Sequence, residues 1–151
     1  METAKRGEAL HVLLIEDNEA DVGLIWAALE ELQAVDSAAG SVCLYVARDG
    51  KEARELLLSE ARIGLVLLDH RLPGEDGLQW LEAIKNHSDL ALRRLPVVML
   101  SGNDTEEQIR RAYHAYASAY LIKPADPDGL RQMVGSLVAF WGQVARLPNR
   151  L

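Results

Sequence analysis

Glu16 with Asp17, Asp69, Ser101 and Lys123 each follow directly on, or close, a short apolar run. Taken singly, each has an ordinary explanation. An acid after a strand caps a helix or sits in a turn, and a lysine before a proline is usually surface. Taken together they are three carboxylates, a hydroxyl and an ammonium. Carboxylates gathered into one place repel one another and do not all stay ionised without compensation. A divalent cation and the lysine would supply it. Magnesium prefers oxygen ligands, keeps several waters and commonly uses one or two carboxylates plus a phosphate. A carboxylate also acts as a nucleophile toward phosphorus. A hydroxyl, an ammonium and the cation suit the charge on transferred phosphoryl oxygens. The set therefore has the parts for phosphorylating Asp69, with Mg2+ (or Mn2+) as cofactor.

These positions need a frame. Leu10 to Ile15 is a short apolar run that ends at Glu16 and Asp17. Asn18 can cap a helix, with Asp21 three residues on, where an acid suits the helix dipole. Val22, Ile25, Leu29 and Leu32 follow at spacings of three and four. Val42 to Val46 predicts a second strand, and Asp49-Gly50 opens a helix packed through Ala53, Leu56 and Leu57. Ile63 to Leu68 is almost continuously apolar, as in a parallel strand buried on both faces, and it ends at Asp69. Arg71-Leu72-Pro73-Gly74 is turn chemistry. Leu78, Leu81 and Ile84 mark a third helix, with Trp80 beside them. Pro96 opens the strand Val97 to Leu100, which ends at Ser101. A helix is expected from about Asp104 to Tyr116, a strand from Ala119 to Ile122 ending at Lys123-Pro124, and a last helix from about Pro127 to Arg146.

Strict alternation of five strands with five helices predicts the α/β class: a (βα)5 doubly wound parallel sheet. Ligands in such sheets bind beyond the carboxyl ends of the strands, at the topological switch point. The candidate residues fall at those ends.

Composition narrows the function. The length fits one compact domain. The net charge of -7 weighs against direct DNA binding, which needs a basic face. Arg93-Arg94 and Arg110-Arg111 read as solvated surface. The single cysteine, Cys43, gives no disulfide framework and reads as a small core residue. The first ten residues are not a signal peptide, and no apolar run reaches the ~20 residues of a membrane span, so the cytoplasm is the expected compartment.

The order and spacing of these residues resemble a response-regulator receiver domain, the CheY-like fold of two-component signalling. The matching stretches are Ile15-Glu16-Asp17-Asn18, Leu67 to Gly77, Val97 to Gly102 and Tyr120-Leu121-Ile122-Lys123-Pro124. The resemblance spans about residues 10 to 140 and implies strand order 2-1-3-4-5. It implies that Asp69 is the phospho-acceptor. It also implies that Asp17, Glu16, Asp69 and the backbone carbonyl of Arg71 hold the metal. Ser101 and Lys123 would contact the phosphoryl group, and Pro124 follows where the family often has a cis peptide. Tyr120 matches the aromatic that turns inward as Ser101 moves. The Arg71 side chain and Asn103 occupy positions that tune access to the phosphoryl group. The implied partners are a histidine kinase and a downstream protein or phosphotransfer partner, with no exogenous substrate.

Two stretches depart from the commonest pattern. His70-Arg71 follows the acceptor, where apolar or small residues are frequent. His70 is a poor magnesium ligand, because magnesium prefers oxygen. Beyond the usual end, Phe140-Trp141 precedes Leu147-Pro148. That tail, with Glu16-Asp17-Asn18-Glu19-Ala20-Asp21, is similar to the small receivers that partner phytochrome-type histidine kinases. The domain reading is a flexible terminus at 1-8, the receiver at 9-139 and an extension at 140-151. Leu130, Met133, Val134, Leu137, Trp141 and Val144 form one core stripe. Val138 and Phe140 fall off it, either as ordinary exposed residues or as part of a homodimer contact that Tyr113 and Tyr116 could join.

Other functions compete less well. A phosphatase of the haloacid-dehalogenase type carries a second Asp two residues after its nucleophile, and here that residue is Arg71. A phosphate sink, or a degenerate receiver acting only as a binding module, is the alternative. Retention of all five site residues opposes the degenerate form.

Overall fold

Five apolar runs pair side by side and parallel, because helices carry the chain back between them. The computed structural model describes residues 9–35, 41–102, 105–145 and 147–148. Strands β1 (Leu10–Ile15), β2 (Val42–Ala47) and β3 (Leu65–Asp69) belong to one sheet. A two-residue pair, β4 (Arg71–Leu72) and β5 (Glu75–Asp76), forms a separate hairpin. β6 (Val97–Ser101) and β7 (Ala119–Ile122) complete the sheet, in order β2-β1-β3-β6-β7. Counted over the five long strands, this is the expected order 2-1-3-4-5.

Alternate residues of each buried strand feed two cores. Val66 and Leu68 face a core with α2 (Gly50–Ser59), α3 (Gly77–Lys85) and, from α5 (Glu106–His114), Ala112. Leu65 and Leu67 face the opposite core with α1 (Glu19–Val35) and α6 (Pro127–Ala139). β3 is buried along its whole length, so its continuous apolar run follows from cover on both sides.

Several local features differ from the sequence expectations. The Arg71–Gly74 turn becomes a hairpin: Leu72 pairs with Glu75, and Gly74 takes φ +69°, which a side chain would disfavour. A short helix, α4 (Leu90–Arg93), lies where no element was expected. Asp89 caps its start, and Lys85 Nζ donates to the carbonyls of Arg93 (3.1 Å), its last residue, and of Leu95 (2.6 Å) just past it. α5 is shorter than expected. Thr105 caps its start by accepting from Gln108 N–H, and Tyr116 leaves the helical region at φ +70°. The last helix does not run on regularly to Arg146, which lies outside the described residues. Its α-helical part ends at Ala139 and widens into a π-helical turn at Phe140–Val144.

Burial corrects two residues, Val138 and Cys43. Val138 is buried, not exposed, because the stripe that faces the core includes the i+4 row Leu130, Val134, Val138. Phe140 is half exposed, as are Tyr113 and, more so, Tyr116. Cys43 is only half-buried, because β2 is an edge strand. Trp80, beside Leu78 and Leu81 as expected, is fully buried, with its indole N–H donating to the Gly50 carbonyl at 3.1 Å. No peptide bond among the described residues is cis, so Lys123–Pro124 is trans.

Trp80 is thus a single side chain tying α3 to the start of α2. Trp80→Ala is expected to cost about 3–5 kcal/mol, the range for emptying a large aromatic site. Trp80→Phe, which keeps most of the volume and loses the hydrogen bond, should cost less than half as much. Urea unfolding midpoints of the two variants check the ranking.

Candidate phosphoryl and cation site

The strand register sets the site. Ile15 lies beside Leu68, and Asp69 lies beside Leu100. Glu16, one residue past Ile15, therefore comes level with Asp69 across the β1–β3 border. Ser101 pairs with Ile122, so Lys123 emerges next to it, and Lys123 N–H donates to the Ser101 carbonyl at 2.7 Å. The border between β1 and β3 is also where the chain reverses its direction of travel across the sheet, the usual place for a ligand cleft. An open cleft of about 410 Å³ lies there, with Glu16, Asp17, Asp21, Asp69, Arg71 and Lys123 among its lining residues.

Glu16, Asp69 and Ser101 are buried polar residues, while Asp17 is exposed. Carboxylate oxygens of Glu16, Asp17 and Asp69 lie within 4.8 Å of one another. Lys123 Nζ donates to Glu16 Oε2 at 2.6 Å and to Asp21 Oδ2 at 3.1 Å, and lies 3.6 Å from Asp69 Oδ1. The other Glu16 oxygen accepts from Asn18 N–H at 3.1 Å. Asp69 Oδ1 accepts a long bond, 3.3 Å, from Arg71 N–H.

Burial pushes the Glu16 carboxyl up to about 7, and the neighbouring Asp69 adds to the rise against the opposing pull of Lys123. Burial alone would lower the Lys123 ammonium, but Glu16, Asp69 and Asp21 more than offset it and raise it above its ordinary value. Both shifts follow from acids converging on one ammonium in a partly buried place. The donor set is all oxygen, which fits a hard divalent cation such as Mg2+ or Mn2+ and does not fit a soft one. His70 is not part of the converging set.

Of the residues expected from sequence, Glu16, Asp17, Asp69, Arg71 and Lys123 meet at the cleft. Ser101 is buried one residue beyond Leu100, and Tyr120 is half-buried against the α2/α3-side core. Asn103 lies outside the described residues. Two residues had no assigned site role. Asp21 enters the cleft because it sits one helical turn after Asp17, a spacing legible in the sequence once Asn18 is read as the cap. Gly77 lets α3 begin against the acceptor strand: its N–H donates to the His70 carbonyl at 2.9 Å, and a Cβ there would collide with the Asp69 carbonyl.

Two outcomes follow from this geometry. Gly77→Ala should push the acceptor loop outward and weaken binding of Mg2+ at least severalfold, measured by calorimetric titration. For Glu16, the folded value of about 7 exceeds the ordinary 4.5. The folded state then holds the proton more tightly, so Glu16's contribution to stability is full below 4.5 and is lost as pH rises through about 7. Unfolding in EDTA should show Glu16→Gln gaining on the wild type between pH 5 and pH 8.

The comparisons with known proteins point to one family. The family model "Response regulator receiver domain" matches residues 12–135. Response regulator Rcp1 of Synechocystis sp. is 32% identical over 143 residues, covering 91% of this chain and 92% of the relative. A probable methanogenesis regulatory protein, FilR2 of Methanothrix harundinacea, is 36% identical over 135 residues, covering 86% and 82%. Among solved structures, the phosphorylated cyanobacterial phytochrome response regulator RcpA superposes with TM-score 0.80 at 35% identity, covering 93% of this chain and 99% of that one. The Mn2+-bound form of Rcp1 gives TM-score 0.79 at 32% identity, covering 92% and 99%. With the family model matched over most of its length and the five-stranded order in place, this chain belongs to the response regulator receiver domain family of two-component systems.

Proposed function

We propose that Asp69 accepts a phosphoryl group from a histidine kinase, and that the product is a changed protein-binding surface. The observation that carries this is the convergence of Glu16, Asp17 and Asp69 oxygens within 4.8 Å, with the Lys123 ammonium 3.6 Å from Asp69. Glu16, Asp17, Asp69 and the Arg71 backbone carbonyl would hold Mg2+ or Mn2+. The cation supplies positive charge to the carboxylates and to the phosphoryl oxygens.

The remaining work falls to the chain's own groups. An Asp69 oxygen attacks phosphorus as the bond to the donor imidazole breaks, and the imidazole leaves with the electron pair. The aspartyl phosphate carries more negative charge than the carboxylate and has three strong acceptor oxygens. Lys123 and the Ser101 hydroxyl pair with those oxygens. Movement of Ser101 makes room for Tyr120 to turn further inward, and the face formed by α5, β7 and α6 changes shape. Phosphate biases an equilibrium between two packings already available to the fold. Arg71 and Asn103 tune the lifetime of the phosphate by controlling the approach of water.

The same reading assigns residues 9-139 to the receiver and 140-151 to an extension. It takes the kinase to be phytochrome-type, a choice supported by the similarity to RcpA, whose description names a cyanobacterial phytochrome. Among the described residues no helix is long and apolar enough to cross a membrane.

Incubation with acetyl phosphate and Mg2+ should add one phosphoryl group to the wild type by intact mass, and none to Asp69→Asn or in EDTA. Unmodified wild-type protein would sink the assignment. Arg71→Ala should change the dephosphorylation rate at least severalfold, and an unaltered decay would remove Arg71 from the tuning role.

A further inference from the structure

Lys123 is gripped more closely by two other carboxylates than by Asp69. Its Nζ stands 2.6 Å from Glu16 Oε2 and 3.1 Å from Asp21 Oδ2, both hydrogen bonds, against 3.6 Å from Asp69 Oδ1. Glu16 and Asp21 differ in their other commitments. Glu16 shares with Asp17 and Asp69 the converging oxygens that fit a cation, and Asp21 is not among them. Once Glu16 serves the cation, Asp21 is the carboxylate left to Lys123. Its position is rigid. It lies in the first turn of the 17-residue helix α1, and its N–H donates to Asn18 Oδ1 at 3.1 Å. The pair is partly shielded from water, with the side chains 14% exposed for Lys123 and 28% for Asp21. Their attraction is therefore screened less than that of a surface pair.

We propose that Asp21 is a positioning residue for phosphoryl uptake: it holds the Lys123 ammonium off Asp69, and Lys123 must leave it to reach the phosphoryl oxygens. The inference rests on Asp69 being the acceptor. With acetyl phosphate as donor, a bond forms between an Asp69 oxygen and phosphorus as the bond to the acetate oxygen breaks. Acetate leaves with the electron pair, and no proton need move. The transferred group and the Asp21 carboxylate then compete for one ammonium. Weakening the Asp21 end favours the phosphorylated side.

The test compares wild type, Asp21→Asn, Lys123→Gln and the double variant, each with saturating Mg2+. The readouts are the rate of uptake from acetyl phosphate and the affinity for beryllofluoride, a stand-in for the phosphoryl group. Asp21→Asn should gain roughly threefold to tenfold on both, the scale of one partly shielded ion pair. It should gain nothing in the Lys123→Gln background. Asp21→Glu, which keeps the charge, should stay close to wild type. An equal gain with and without Lys123 would mean simple charge removal and would overturn the inference, as would no gain at all. A separate readout needs no acceptor chemistry. In the metal-free protein the Lys123 Nζ nitrogen resonance should move in Asp21→Asn, and an unmoved resonance rules out the contact. A wild type that takes up no phosphate fails the acceptor assignment itself, whatever that resonance does.

Discussion

One ammonium group, Lys123 Nζ, lies within hydrogen-bonding or ion-pairing distance of Glu16, Asp21 and Asp69. Asp17 brings a further carboxylate to the same cleft. Crowding that much negative charge around one ammonium is unfavourable. The strain shows in Glu16, whose carboxyl is driven toward neutrality by burial and by Asp69. An edge so short of positive charge favours whatever brings more of it. A divalent cation does so directly. The lysine, already shared, can go to only one strong acceptor at a time, so any new anion on Asp69 must draw it away from the others.

The sheet makes this crowding unavoidable. Parallel strands put all their carboxyl ends on one side, and the β1–β3 and β3–β6 registers bring Glu16 and Leu100 level with Asp69 or its neighbours. The strands that carry the acids are buried on both faces, so the charged residues cannot retreat along them. Asp69 ends a strand with no exposed residue. The helix that follows starts directly against it, an approach that a side chain at position 77 would block. The site is rigid below, where the strands are packed, and open above, toward the cleft.

The loop beyond Asp69 is anchored from the side. The hairpin Arg71–Leu72/Glu75–Asp76 is tied to α2 by Arg54 and Glu75, 3.2 Å apart at Nη1 and Oε1. The Glu75 carboxylate and the Trp80 ring both occupy space that a side chain at position 50 would need. The Arg54–Glu75 pair is partly exposed and contributes little by itself. Its setting matters more: Trp80 is fully buried and donates to the Gly50 carbonyl. Core packing on one face of the sheet thereby holds the loop that borders the acceptor.

By itself the sequence determined the alternation of strands and helices, the strand ends that carry chemistry, and the type of chemistry those ends suit. These are local properties. A continuous apolar run such as Leu65 to Leu68, an Asx cap such as Asn18, and the residue that closes each strand are all visible along the chain. What tertiary structure decided is everything that depends on distance between elements. Val138 looked exposed because one helical stripe leaves it out, but α6 packs through a second row as well. Trp80 reads as one more apolar residue of its helix, and only the packing of α2 supplies a carbonyl for its indole. The hairpin after Asp69 and the short helix α4 meet partners on other segments, Arg54 and Lys85, which no local pattern announces. Asp21 reads as a helix-dipole acid in the sequence. Only the pairing of β1 with β3, β3 with β6, and β6 with β7 carries Lys123 across to it, because an ion pair over 102 residues is a fact of the fold and not of the chain.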